Sequence, residues 1–155
     1  MAKNRLWLTS PYFVPDAAIM SALQLAVMRG VDVRVLIPAF PDHLMVYLAG
    51  YSFIKEALPF GVKLYRYQKG FIHQKVMLID NHMATVGTAN FDNRSFRLNF
   101  ELTLFFSDPD FCHQVETMLE KDFEAGKIVS LEDIEQKPLL FKIAVQIARL
   151  LAPIL

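Results

Sequence analysis

Prolines and glycines cut the first 70 residues into short apolar runs that alternate with segments of helical periodicity, and this alternation constrains the fold most. Residues 5–10 are largely apolar and closed by Pro11, which predicts a strand. Asp16 stands as an N-cap before residues 17–29, where Ile19, Leu23, Ala26 and Val27 recur at helical spacing until Gly30. Residues 31–37 form a β-branched run ended by Pro38, a buried strand by composition. Asp42 is placed to cap a second helix over residues 43–58, closed by Pro59 and Gly61, and residues 62–67 read as a third strand.

After Gly70 the pattern changes. Residues 74–80 predict a strand, Asn81-His82 its turn, and Ala84 the start of a return strand, so the two make a hairpin. Residues 87–99 are polar and irregular, and residues 102–107 are again strand-like. A helix is expected from residues 108–110 to about Glu124 with Gly126 as its stop, then a short polar helix over 130–136. Pro138 opens a last apolar helix running to Leu155. The order predicts an α/β fold, a mixed β-sheet flanked by helices on both faces. With no repeat and no linker, residues 1–155 read as a single domain that includes the apolar helix 138–155.

An apolar fraction of 54% over 155 residues is enough to bury a real core. Sixteen basic residues cancel sixteen acidic ones, so the chain lacks the cationic field of a non-specific nucleic-acid binder. The single Cys112 cannot form an intramolecular disulfide, as expected in a reducing compartment. No signal peptide is evident at the start, and no apolar run reaches the ~18–20 residues of a membrane span.

The chemistry lies in Phe71-Ile72-His73-Gln74-Lys75-Val76-Met77-Leu78-Ile79-Asp80 and the following Val86-Gly87-Thr88-Ala89-Asn90. Two apart on the expected strand, His73 and Lys75 leave the same face. That pair suits a phosphoryl group: the imidazole can act as nucleophile or proton donor, and the ammonium neutralises developing negative charge. Gly87 permits close backbone approach, while Thr88 and Asn90 offer short hydrogen-bonding side chains to the same oxygens. Asp80 lies at an odd offset from Lys75 and so faces the other way, which suggests a structural anchor for the hairpin. A His-x-Lys pair alone is common by chance; the extended pattern through Asn90 carries the argument.

That pattern resembles the HKD signature of the phospholipase D superfamily, with Thr88 where Ser is commoner. The wider match lies in Thr9-Ser10-Pro11-Tyr12-Phe13-Val14-Pro15-Asp16, in Arg29-Gly30-Val31-Asp32-Val33-Arg34-Val35-Leu36-Ile37-Pro38, and from Gly87 through Arg94 to Asn99-Phe100-Glu101. It is similar to the second half of bacterial cardiolipin synthases and runs from about residue 5 to residue 155. The resemblance implies a phospholipase D-like single lobe. In that family one histidine attacks phosphorus to give a phosphohistidine, a second protonates the leaving alkoxide, and no metal or other cofactor is needed. On the matching positions it implies catalytic roles for His73, Lys75 and Asn90, and Glu101 matches the acidic residue that orients the histidine. Thr88, Arg94 and Tyr12 become candidate substrate contacts, with Gly87 and Asp80 structural.

Two histidines are required, and His43, His82 and His113 each lack a lysine two residues later. They read as helix-turn, loop and helix-surface residues. One chain therefore holds one half-site, completed by the other half of a longer enzyme or by a second copy. The first functional reading is phosphatidyl transfer, giving cardiolipin from phosphatidylglycerol at the cytoplasmic side of the bacterial membrane. The alternatives are a homodimeric phosphodiesterase or nuclease and a catalytically incomplete fragment; the charge balance counts against nucleic acid as partner. In helix 138–155 the polar residues Lys142, Gln146 and Arg149 fall in an arc of about 60°. The helix either covers the core with that stripe in solvent, or lies peripherally in a membrane interface with its cations near anionic lipid.

Overall fold

The computed structural model describes residues 2–155. Its elements run β1 (Arg5–Thr9), β2 (Phe13–Val14), α1 (Ala17–Met28), β3 (Asp32–Pro38), α2 (Leu44–Ala57), β4 (Lys63–Tyr67), β5 (Val76–Ile79), β6 (Met83–Gly87), β7 (Phe91–Asp92), α3 (Asn93–Arg97), β8 (Thr103–Phe106), α4 (Pro109–Glu124), β9 (Gly126–Ile128), α5 (Leu131–Glu135) and α6 (Leu139–Leu150). Seven strands form one sheet in the order β8-β6-β5-β1-β3-β4-β9, and β2 pairs with β7 beside it. Within the large sheet β1, β3 and β4 are parallel and every other pairing is antiparallel, so the sheet is mixed.

Strand alternation assigns the two cores. Leu8, Val33, Val35, Ile37 and Leu64 point to one face, where they are buried with Met20 and Leu23 of α1 and Ala49 and Ile54 of α2. Trp7, Leu36, Leu78 and Ala84 point to the other, against Cys112, Val115, Leu119 and Phe123 of α4. Arg34, also on that face, lies over the Trp7 ring at 4.4 Å from its centroid. Helix α6 packs on α2, outside the first helical layer.

Capping places most helix starts where the sequence predicts them. Asp16 accepts from Ile19 N–H at 2.9 Å, Asp108 from Phe111 N–H at 2.8 Å, and Ser130 with Asp133 forms a capping box on α5. Asp42 does not cap α2. The helix starts at Leu44 behind His43, which makes no side-chain cap bond, and the Asp42 carboxylate accepts from the Tyr12 hydroxyl at 2.8 Å instead.

Four further differences from the sequence expectation have local causes. The strand expected from residue 74 begins at Val76, so His73 and Lys75 precede the ladder. Residues 87–99 are ordered by β7 and by α3, whose cap Asp92 accepts from Ser95 N–H at 2.7 Å. Gly126 does not merely stop α4; it opens edge strand β9 opposite Tyr67, where a Cβ would come within 3.1 Å of Leu36 Cδ1. Helix α6 ends at Leu150 rather than Leu155, because Pro153 has no N–H to continue the ladder, and residues 152–154 form a 3₁₀ turn.

Candidate active site

Strand directions gather the site at one end of the sheet. The C-terminal ends of parallel β1 and β3 share that end; β5, antiparallel to β1, starts there, β6 finishes there and β8 starts there. The segments entering and leaving these strands therefore bring residues 10–12, 41–43, 73–75, 88–90 and 99–102 to one edge.

Residues 71–75 have no ladder, yet they keep the alternation of an extended chain. Ile72 is buried in the core under α4, and the Gln74 amide donates to Asp122 of that helix. Lys75 turns the opposite way into a groove of about 230 Å³ with Thr9, Met77, Thr85 and Phe105. Its ammonium donates to the His73 carbonyl at 3.0 Å. The His73 ring is exposed and lies 5.5 Å from the Phe71 ring. Burial pulls the Lys75 pKa below its ordinary value, against the carboxylates of Glu101, Asp42 and Asp92, which favour the charged form.

The remaining predicted residues divide into two groups. Thr88 hydroxyl donates to the Glu101 carboxylate and accepts from Leu102 N–H at 3.0 Å, so it ties the end of β6 to the start of β8. Glu101 is further bound by Asn99 Nδ2 at 3.0 Å; the Thr88 and Asn99 bonds hold its carboxyl below the usual range. Among the described residues its carboxylate makes no hydrogen bond to His73. Gly87 is required by β8: a Cβ would sit 2.6 Å from Leu102 O and from Thr103 Oγ1. Asn90 is held by its backbone, N–H to Ser95 Oγ at 3.1 Å, while its Oδ1 is buried with no hydrogen-bond partner among the described residues.

Tyr12, Asn90, Arg94 and Asn99 share a cleft of about 480 Å³ with His43 and the apolar Leu44, Met45 and Leu155. Burial, with the Asp42 hydrogen bond, pushes the Tyr12 hydroxyl pKa well up. Arg94 Nε donates to Asn99 Oδ1 at 3.3 Å. Asp80 lies at the other end of β5, where its carboxylate accepts from the backbone N–H groups of Lys3, Asn4 and Arg5 at 2.8–2.9 Å. Among the described residues no three His, Cys, Asp or Glu side chains are grouped to hold a metal ion.

Several polar residues outside the motif support the site. Ser10 Oγ accepts from Phe91 N–H at 2.9 Å, so the end of β1 fixes the chain just past Asn90. Ser95, Asn99 and Asp42 serve Asn90, Glu101 and Tyr12 in the same way. For Ser95 and Asn99 the available signal was a short polar side chain in a segment otherwise marked irregular, since such side chains bond nearby groups. His43, read as a helix-turn residue, lines the cleft that holds Asn90.

Comparison with known proteins identifies the family and the fold. The family described as "Cardiolipin synthase, PLD-like domain" matches residues 1–123. The chain belongs to that family. Cardiolipin synthase A of Pseudomonas putida strain W619 is 54% identical over 154 residues, 99% of this chain and 32% of that protein. Cardiolipin synthase A of Pseudomonas syringae pv. syringae strain B728a is 50% identical with the same coverage. This cardiolipin synthase PLD-like domain thus spans about a third of the length of the curated relatives it matches. In fold it is similar to Nuc of Salmonella typhimurium, a phospholipase D family member, at a TM-score of 0.70 and 23% identity over 83% of each chain. It is also similar to phosphatidylserine synthase of Haemophilus influenzae Rd KW20, at 0.80 and 17% identity over 100% of this chain and 42% of that one.

Proposed function

We propose that this domain supplies one half-site for phosphatidyl transfer through a phosphohistidine intermediate, with cardiolipin synthesis from phosphatidylglycerol as the reaction. One observation carries the reading: an accessible His73 imidazole, a partly desolvated Lys75 ammonium and an Asn90 Oδ1 that is buried without a hydrogen-bond partner among the described residues lie on segments at the same end of the sheet, in a chain of this family. The His73 imidazole attacks phosphorus; the bond to the departing glycerol oxygen breaks, and that oxygen takes a proton from the histidine of the second half-site. The hydroxyl of a second phosphatidylglycerol then attacks the phosphohistidine, returns its proton to that second histidine and frees His73. Lys75 stabilises charge on the non-bridging oxygens. Glu101, tied to Thr88 and Asn99, is a negative charge held near Lys75 and available to orient an imidazolium.

Tyr12 and Arg94 in the mixed cleft support a substrate with both charged and apolar parts. The reading takes residues 1–155 as one folding unit that works peripherally at the cytoplasmic face of a membrane. Labelled phosphatidylglycerol and a labelled single-stranded oligonucleotide, each followed by acid-quench trapping, test it with the domain paired to its second half-site. Label retained from the lipid and lost in His73→Ala is the expected result. Label retained only from the oligonucleotide would replace this reading with a phosphodiesterase.

A further inference from the structure

Helix α6 presents three different faces. At 100° per residue, Phe141, Val145 and Ala148 share the side against α2, where Val145 and Ala148 are buried. Lys142, Gln146 and Arg149 form a flank that is tied down sideways: Arg149 pairs with Glu56 at 2.7 Å, and Lys142 donates to the Glu135 carbonyl at 2.6 Å. An arc of about 100° on the far side carries Leu139, Leu140, Ile143, Ile147 and Leu150, and Ile154 follows in the 3₁₀ turn, each 47–80% exposed. The polar stripe is therefore not the outward surface. The outward surface is apolar.

Three observations say what covers it. The face is about 18 Å long and about 10 Å wide, the footprint of a single helix sinking ~5–10 Å into a headgroup layer. Residues 138–155 contain no acidic side chain, and Lys142 edges the apolar arc as a cation with no carboxylate partner among the described residues, a charge pattern that complements anionic lipid. The face also leads directly to the site. Asn93 Nδ2 donates to the Ala152 carbonyl and Arg94 N–H to the Leu155 carbonyl, both at 3.2 Å, so the end of the helix is fastened to the segment after Asn90. Leu155 lines the Asn90 cleft together with Leu44 and Met45, and these last two are themselves exposed.

We propose that the outer face of α6, continued by Leu44 and Met45, is a lipid-surface docking face that seats an anionic bilayer against the cleft holding Asn90. The inference rests on the lipid-substrate reading of that site but is tested apart from it, because docking needs no turnover. Flotation of the full 155-residue chain with phosphatidylglycerol vesicles and with phosphatidylcholine vesicles is the experiment. The wild-type chain should float with the anionic vesicles. The Ile143→Glu/Ile147→Glu variant should lose at least ~10-fold in vesicle affinity, and the single Leu150→Glu variant at least ~3-fold. His73→Ala and Leu104→Glu, the latter in an exposed residue of β8, should float like wild type. Thermal melts show whether each α6 variant is folded, and Leu150→Glu serves if the double variant is not. Wild-type chain that stays off the vesicles, or folded α6 variants that bind them undiminished, would overturn the proposal. So would an oligomer of the wild-type chain that the α6 variants convert to monomer while vesicle binding persists. Loss of flotation in the variants with no lipid-derived phosphoenzyme would keep the docking face and discard the transfer reading.

Discussion

At Asp80, three backbone N–H groups converge on one buried carboxylate whose own backbone sits at φ 51°. Burial raises its pKa, but the N–H groups of Arg5, Asn4 and Lys3 outweigh burial and hold it below the ordinary range. A depressed pKa contributes stability that is complete above the unfolded value of about 3.9 and is lost as pH falls through the folded value. Asp80→Ala should cost about 3 kcal/mol at neutral pH, read by denaturant melts, and should flatten the loss of stability below about pH 4. An unchanged acid limb would mean that other carboxylates dominate. Gly87 is constrained by space: its Cα hydrogen faces the chain of β8 so closely that Gly87→Ala must part the two strands. About 2 kcal/mol of destabilisation is expected, with a fall in phosphoenzyme yield because Thr88 and Glu101 lose their common anchor. Full yield with a lowered melting temperature would separate stability from the site.

The elements differ in how much their neighbours decide. Helix α6 is the clearest case, since its three faces meet α2, the α5 side and the exterior. Ala148 is fully buried between α6 and α2, so Ala148→Leu should overpack the contact and cost about 1–3 kcal/mol. Ile147→Ala, one position away on the exposed face, should change stability by less than about 0.5 kcal/mol. Equal effects in the two melts would contradict the orientation of the helix. Edge strand β9 and the β2–β7 pair escaped the sequence reading for a related reason. They are two or three residues long, too short to show a period, and are held by pairing with distant strands.

For the whole molecule the controlling fact is that one His-x-Lys set lies in one lobe, while the proposed transfer uses two histidines. Turnover should therefore rise faster than linearly with protein concentration, or appear on adding a second lobe. Specific activity measured across a concentration series checks this against sedimentation on the same samples. Constant specific activity in a verified monomer would end the half-site reading and turn attention to His43, which shares the Asn90 cleft. The exposed apolar pair of β8, Leu104 and Phe105, lies beside the groove at Lys75.

Most of the architecture, and the residues of the candidate site, were legible from local pattern. Breakers and periodicity marked α1, β3, α4 and the β5–β6 hairpin, because a helix or strand period is written in consecutive residues. The spacing from His73 to Asn90 carried the resemblance that implies a half-site, and the parity of Asp80 set it apart from Lys75. Tertiary structure decided the rest. It turned Asp42 from a helix cap into a partner of Tyr12, and gave Thr88 to Glu101 and Leu102. It made Gly126 a close-packed strand residue where a helix stop was expected, and it faced the polar stripe of α6 sideways so that its leucines and isoleucines look outward. The physical reason is common to all four. A sequence shows which side chains can bond or be buried, but partners more than a few residues away compete for them, and only their positions in space settle the competition.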